Sequence, residues 1–132
     1  MQSTSIPGIA MYSRWQTDRG VYFNSYFIEA EGGNLLVDPL PADQSDLDAM
    51  TAAGGVAWIA VTNRDHERAS SELAARFGAR VAAGAADASD LSRAPDRLLR
   101  DGDEIGPARV IALDGLKTAG EFALYLAATR TV

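Results

Sequence analysis

The sequence of 132 residues contains no cysteine and only one histidine, His66. Without cysteine, the chain can form neither a disulfide nor a metal site built from thiolates. Zinc sites that lack thiolates are commonly built from several imidazoles. A single histidine cannot supply such a set, so the composition excludes a zinc centre built from imidazoles alone.

Basic residues are scarce as well, because 12 lysines and arginines stand against 18 acidic residues and leave a net charge of −6. An acidic chain offers no basic surface that would neutralise the phosphates of nucleic acid or of an anionic membrane. No apolar run approaches the length that spans a bilayer. The first ten residues lack the basic start and the apolar core of a signal peptide. These absences predict a cytoplasmic protein that binds neither nucleic acid nor membrane.

The most informative stretch that is present is Val56–Arg80. Residues 56–61 form an uninterrupted apolar run, which predicts a strand covered on both faces. Further on, apolar side chains recur at every fourth position, which predicts a helix that ends at Gly78. The polar segment 62–66 lies between them and contains His66. Because open α/β sheets bind ligands at the carboxyl ends of their strands, this segment is the first candidate for a functional site.

The rest of the chain predicts further strands and one more helix around this unit. Glycines at 31–34 favour a hairpin turn between two strands. Two strand–helix–strand passes flanked by hairpins predict an α/β domain built in layers. The predicted elements are strands at 9–15, 21–30 and 35–37, a helix at 41–55, a strand at 80–83 parallel to 56–61, and strands at 110–113 and 122–127.

The order of these parts resembles the first part of a metallo-β-lactamase-fold hydrolase, from about Val21 onward. The segments that carry the resemblance are N-S-Y-F-I-E-A-E-G-G-N-L-L-V-D-P, V-A-W-I-A-V-T-N-R-D-H, F-G-A-R-V, L-R-D-G-D-E-I and R-V-I-A-L-D-G-L-K-T-A-G-E. The resemblance implies part of an αββα sandwich, with a mixed sheet and helices on the outer face. It also implies hydrolysis of esters, thioesters, amides or phosphodiesters by water that a metal ion activates.

The main metal motif of that family reads T-H-x-H-x-D-H after the central strand. Thr62 matches its first residue, and Asn63 stands where the first histidine belongs. Asp65 and His66 match the closing aspartate and histidine, but the motif is two residues shorter before Asp65 and lacks its second histidine. The resemblance therefore implies a motif that has lost two of its imidazoles.

Other family ligands are also replaced. The histidine of the family's G-H-T-x-G loop corresponds to Leu116 in the loop 115–120, and the later bridging aspartate and final histidine would lie beyond Val132. Asp38 matches an aspartate at a strand end that supports the metal loop in the family. We therefore expect a single domain over 1–132 that is truncated at its C-terminus relative to the family.

Three kinds of site residue follow from these matches. A sparse site of carboxylates and one imidazole would suit a hard cation better than zinc. The sequence thus predicts no resident cofactor, or zinc, magnesium or manganese if the site is active. The candidate metal ligands are Asp38, Asp65 and His66, the candidate catalytic residue is Lys117, and the candidate pocket residues are Thr62, Asn63 and Arg64.

Each of these side chains also has a purely structural interpretation. Asp65 falls at the first turn of a helix, where a carboxylate caps free backbone N–H groups, and this is the favoured interpretation. Asn63 can bond nearby backbone at the corner. His66 can hydrogen-bond a neighbouring loop, and Asp38 can brace the turn before Pro39.

Two hypotheses for the function remain open. In the first, the metal site has degenerated and the domain acts in binding or assembly, with a small-molecule ligand as one possible partner. In the second, the chain is an active hydrolase of an ester, thioester or phosphodiester that uses water bound at Asp65 and His66, with Lys117 polarising the substrate. A shortened sandwich would leave apolar sheet surface and a strand edge unpaired, so we expect a homo-oligomer or a fragment of a longer chain.

Overall fold

The computed structural model describes all residues, 1–132, and contains ten strands and two α-helices. None of the helices is both long and apolar enough to cross a bilayer. In chain order the elements are β1 Gln2–Ser3, β2 Ile9–Gln16, β3 Val21–Ile28, β4 Leu35–Val37, α1 Gln44–Ala52, β5 Trp58–Val61, α2 Ser70–Phe77, β6 Arg80–Gly84, β7 Arg97–Leu99, β8 Glu104–Ile105, β9 Ala108–Ala112 and β10 Phe122–Leu126.

The larger sheet is mixed and holds seven strands in the order β1 to β7. Strands β1 to β4 are antiparallel neighbours, which confirms the hairpin predicted at the glycines before β4. Strands β4 to β7 are parallel, as predicted for β5 and β6. Helices α1 and α2 make the connections from β4 to β5 and from β5 to β6. All carboxyl ends of these parallel strands therefore lie at one edge of the sheet.

The two faces of this sheet carry separate apolar cores. Leu36 and Ile59 point to one face, where they pack with Met50 of α1 and Leu73 of α2. Their chain neighbours point to the other face because side chains alternate along a strand. We call the core on the helix side the helix-side core.

A second sheet covers the opposite face of the large sheet. Its three antiparallel strands have the order β10-β9-β8. Leu35 and Ala60 of the large sheet pack there with Ile105, Val110 and Phe122, and we call this the inter-sheet core. Helices, mixed sheet and second sheet form three successive layers, which confirms the predicted layered α/β fold.

Local hydrogen bonds explain where the elements begin and end. Helix α1 starts later than the predicted residue 41 because Asp43 caps it, accepting a bond from the backbone N of Asp46 at 2.9 Å. The backbone N of Asp43 donates in turn to the Asp46 carboxylate at 3.4 Å, which completes a capping box. Helix α2 ends at Gly78 in the left-handed conformation, as predicted.

Strand β5 begins at Trp58 rather than at the predicted Val56. The backbone N–H groups of Ala57 and Trp58 both donate to the carbonyl of Asn34, at 2.9 and 3.2 Å, so the chain turns into the sheet there. A Cβ on Gly33 would lie 2.4 Å from the Cβ of Ala57, and Gly33 has a φ of 128°. Only glycine fits this approach of the hairpin turn to the start of β5.

Candidate functional site

The polar segment 62–66 follows β5 directly and makes the corner between β5 and α2. Residues Arg64–His66 form a single 3₁₀ turn. Asn63 caps that turn, since its Oδ1 accepts a hydrogen bond from the backbone N of Asp65 at 3.0 Å. The prediction that Asn63 bonds nearby backbone is confirmed. The prediction that the Asp65 side chain is the cap is wrong, because a residue two positions earlier already holds the cap position.

Asp38 meets this corner because β4 and β5 are parallel and end at the same edge. Its backbone N donates to the carbonyl of Ala60 at 2.9 Å. Its carboxylate accepts two hydrogen bonds from Thr62, from the backbone N at 2.8 Å and from Oγ1 at 2.6 Å. Asp38 takes a left-handed φ of 50°, which is uncommon for a residue other than glycine. The aspartate therefore ties the two strand ends together.

His66, which is partly exposed, forms a hydrogen-bonded pair with the more buried Asp38. Its Nδ1 lies 2.8 Å from Oδ2 of Asp38, and the two side chains are 34% and 14% exposed. Thr62 Oγ1 and Asn63 Nδ2 lie farther from the same nitrogen, at 3.3 and 3.4 Å. Because an ionised carboxylate only accepts hydrogen bonds, we assign the ring proton to Nδ1. The other ring nitrogen, Nε2, then carries the lone pair.

Arg68, two residues after His66, lies against the same pair. Its Nη1 donates to the carbonyl of Asp38 at 3.1 Å, and its guanidinium lies 4.8 Å from the ring centre of Phe23. It too has a positive φ, of 40°. Burial lowers the pKa of Arg68 from its usual value, while the charge of Asp38 acts in the opposite direction. No motif would have revealed this residue, whose only signal is its position just after His66.

The loop between β9 and β10 brings Lys117 to the corner. Its Nζ forms an ion pair with the Asp65 carboxylate, and both side chains are exposed to solvent. The hydrogen bond from Lys117 is the main reason that the pKa of Asp65 falls below its usual value. Asp65 therefore faces Lys117 rather than the pair formed by Asp38 and His66.

A second buried carboxylate, Asp87, holds that loop in place and was missed in the sequence. It is 1% exposed and accepts hydrogen bonds from Thr118 Oγ1 at 2.6 Å, Gly120 N at 2.9 Å and Arg64 N at 3.1 Å. A Cβ on Gly120 would lie 2.6 Å from the backbone N of Asp87. The loop can therefore pack this closely against Asp87 only with a glycine at position 120. Asp87 thus links the corner to the loop that carries Lys117.

The donor groups at this corner do not fit a metal ion. No group of three histidine, aspartate or glutamate side chains in the structure is placed to hold a metal ion. Both oxygens of Asp38 already accept hydrogen bonds from Thr62, and Asp65 is paired with Lys117. The three candidate ligands Asp38, Asp65 and His66 are therefore not brought together as one ligand set.

An apolar cleft of about 380 Å³ opens beside the corner. It lies between the large sheet and the end of β10, and Thr62 is its link to the polar side chains. Of the candidate pocket residues, Thr62 lines this cleft, whereas Asn63 caps the turn and Arg64 forms an ion pair with Asp90. Its apolar lining includes Ile9, Ile28, Val37, Leu124 and Leu126.

The comparison with protein families agrees with this architecture. The family described as the metallo-beta-lactamase superfamily matches residues 1–132. The chain therefore belongs to the metallo-beta-lactamase superfamily, which confirms the resemblance seen in the sequence.

One curated protein and two solved structures are examples of similar proteins. A hydroxyacylglutathione hydrolase from Acidiphilium cryptum (strain JF-5) is 40% identical over 101 residues, which cover 70% of this chain and 40% of that protein. The metallo-beta-lactamase IND-7 has a TM-score of 0.73 at 18% identity and covers 93% of this chain and 64% of its own. The protein TTHA1623, solved in a di-iron-bound form, has a TM-score of 0.63 at 23% identity, with 80% and 62% covered. The chain spans less than two thirds of the length of these relatives, and the two structures establish the fold alone.

Proposed function

We propose that this chain is a metallo-beta-lactamase-fold domain that binds a small apolar ligand without a resident metal ion. The observation that carries the proposal is the way the polar groups of the corner bond one another. The Asp38 carboxylate is hydrogen-bonded to Thr62 and His66, and the Asp65 carboxylate forms an ion pair with Lys117. A metal ion would have to break these bonds and would still find no set of three ligands.

The apolar cleft supports the binding part of this proposal. Its volume of about 380 Å³ falls in the range of small-molecule sites, and it combines an apolar lining with a polar end at Thr62. Such a site takes an apolar group in the cleft and a polar group at the corner. The ligand class is therefore a small molecule with an apolar tail and a polar head.

Metal analysis of the full chain, purified without chelator, tests the first part. We expect less than stoichiometric zinc, iron, manganese and magnesium, and no further loss in His66→Ala. Stoichiometric metal that disappears in His66→Ala would contradict the proposal. The dye 1-anilinonaphthalene-8-sulfonate, which has apolar rings and a charged sulfonate, tests the second part, since Leu124→Asp places a charge in the cleft and should weaken dye binding. Ile111→Asp, on the exposed part of β9, is the matched control and should bind the dye normally.

An active metal-dependent hydrolase is the second candidate. The observation in its favour is the 40% identity over 101 residues to a hydroxyacylglutathione hydrolase. In that case Asp65 and His66 would hold a metal ion, whose chemistry would be the activation of water, and Lys117 would polarise the substrate. The ion pair between Asp65 and Lys117 would first have to open. Stoichiometric metal in the experiment above would favour this candidate.

Assembly with a second copy, or with further residues of a longer chain, is the remaining part of the proposal. Its support is the outer position of β10 in the second sheet, whose outward backbone edge is bonded at its two ends by Thr62 and Thr131 and is not covered by a further strand, and the exposed ring pair of Trp15 and Tyr22. Free edges and exposed apolar side chains favour pairing with another chain. Sedimentation velocity should show a dimer or larger species, and a monomer at all concentrations would contradict this part. A cytoplasmic location stays a prediction.

A further inference from the structure

We propose that Asp38 and His66 form a general-base dyad that hydrolyses small esters of apolar acids without a metal ion. The inference rests on the proposed metal-free corner and adds a reaction to it. Nδ1 of His66 donates a hydrogen bond to the Asp38 carboxylate at 2.8 Å, and Nε2 makes no hydrogen bond within the chain. An imidazole that a carboxylate orients in this way, whose second nitrogen makes no hydrogen bond and whose side chain is 34% exposed, can take a proton from water.

The carboxylate of the dyad is held by its surroundings. Thr62 donates two hydrogen bonds to it, so it cannot turn away from His66. The backbone carbonyl of Asp38 accepts hydrogen bonds from Ser25 Oγ at 2.8 Å and from Arg68 Nη1 at 3.1 Å. These bonds maintain the left-handed backbone of Asp38, a conformation that costs energy and concentrates at functional sites. Asp38 is therefore a positioning residue for His66.

The cleft places a substrate beside the dyad. Thr62 lines the cleft, bonds Asp38 and has its Oγ1 3.3 Å from Nδ1 of His66, so a single side chain links the cleft to the imidazole. Leu124 and Leu126 would contact an apolar acyl chain along the cleft. The acyl carbonyl would then lie at the polar end, next to His66. This geometry selects esters or thioesters of apolar acids.

The reaction balances without any further reactant. Nε2 of His66 takes one proton from a water molecule, and the water oxygen forms a bond to the acyl carbon. When the tetrahedral intermediate collapses, the bond from carbon to the leaving oxygen or sulfur breaks. The leaving group takes the proton from Nε2, which restores the neutral imidazole. The products are the free acid and the alcohol or thiol.

The test uses the full chain, depleted of metal with a chelator, and p-nitrophenyl butyrate as the probe. We expect hydrolysis above the buffer rate, and a decrease of about 100-fold or more in kcat for His66→Gln, the usual effect of removing a general base. Because His66 is the only histidine, no other imidazole contributes to the signal. Added imidazole should raise the rate of His66→Ala above the rate that the same imidazole gives without protein, a result that a merely structural role would not give.

Two further variants separate positioning from binding. Asp38→Asn should lower kcat with little change in KM, whereas Leu124→Asp should raise KM. Glu31→Gln, an exposed carboxylate-to-amide change in the hairpin turn, is the matched control and should leave both constants unchanged. Circular dichroism confirms that each variant is folded.

Two results would overturn the dyad. If the metal-depleted chain binds the dye but does not hydrolyse the ester, or if His66→Gln keeps full activity, the dyad is wrong while the proposed binding function stands. If activity returns only when zinc, iron or manganese is added, both the dyad and the metal-free function are wrong.

Discussion

At the scale of single residues, the arrangement of the corner depends on which side chains can donate hydrogen bonds and which can only accept them. Asp65 is the chain neighbour of His66 and Asp38 lies 28 residues away, yet only Asp38 bonds the imidazole. The reason is the parallel pairing of β4 with β5, which brings Asp38 to the end of the neighbouring strand. Asp65 points to Lys117 instead, since the loop before β10 passes on that side.

Tyr12 gives a prediction about alkaline pH. It is buried in the helix-side core, donates to the carbonyl of Leu40 at 2.8 Å, and burial raises its pKa from 10.0 to about 12. The folded state keeps this proton longer than the unfolded state does. The contribution to stability is therefore complete below pH 10 and is lost as the pH rises from 10 towards 12.

Absorbance of tyrosinate during an alkaline titration measures this effect. Of the four tyrosines, one should ionise late, and that late step should be missing in Tyr12→Phe. Tyr22→Phe is the control, because its ring is exposed and its removal should leave the late step in place. A late step that survives in Tyr12→Phe would show that another tyrosine is the buried one.

The sequence made part of the corner predictable. The apolar run of β5, the polar residues after it and the match of Asp38 were enough to place Asp38, Thr62 and His66 in one site. The cap role predicted for Asp65 was wrong because Asn63 occupies the N-cap position and its side chain binds the backbone N of Asp65. Asp87 could not be found, since its bonding partners lie 23 to 33 residues away along the chain.

At the scale of elements, the periodic segments were predicted well and their limits less well. Apolar spacing identified α2 and its end at Gly78, because both depend on neighbours in the chain. The start of β5 depends on the carbonyl of Asn34 in the turn between β3 and β4, and the residues around β5 do not indicate this contact. Long-range hydrogen bonds therefore explain the errors at element ends.

The loop between β9 and β10 gives a prediction at this scale. Asp87→Asn replaces a fully buried acceptor with an amide whose NH₂ cannot accept from Gly120 N or Thr118. We expect a loss of about 1–3 kcal/mol in the free energy of unfolding, the usual cost of an unsatisfied buried group. The loop should also loosen around Lys117, which is the only lysine in the chain.

A protease specific for lysine measures that loosening, since it can cut only after Lys117. Cleavage should be faster in Asp87→Asn than in the native chain, and urea unfolding gives the stability. Asp90→Asn is the matched control, because Asp90 lies in the same turn but its carboxylate is half-exposed and pairs only with Arg64. Equal cleavage rates in the two variants would mean that Asp87 does not hold the loop.

At the scale of the whole molecule, one sheet separates two apolar cores and belongs to both. Alternate residues of β4, β5 and β6 point to the helices or to the second sheet. The second sheet has only three strands and buries its apolar face solely against the large sheet. Such a small sheet is not stable alone, so the layers should depend on one another.

We therefore predict that the domain unfolds in a single transition whichever core is damaged. Ile59→Ala in the helix-side core and Ile105→Ala in the inter-sheet core each remove a fully buried side chain, at a cost of about 2–5 kcal/mol. Both should shift the urea midpoint while circular dichroism and tryptophan fluorescence continue to report the same curve. Ile111→Ala, partly exposed on β9, should cost only about 0.5 kcal/mol. If Ile105→Ala instead separates the two probes into distinct transitions, the second sheet folds independently, and the sheet that carries Asp38 and His66 does not need it.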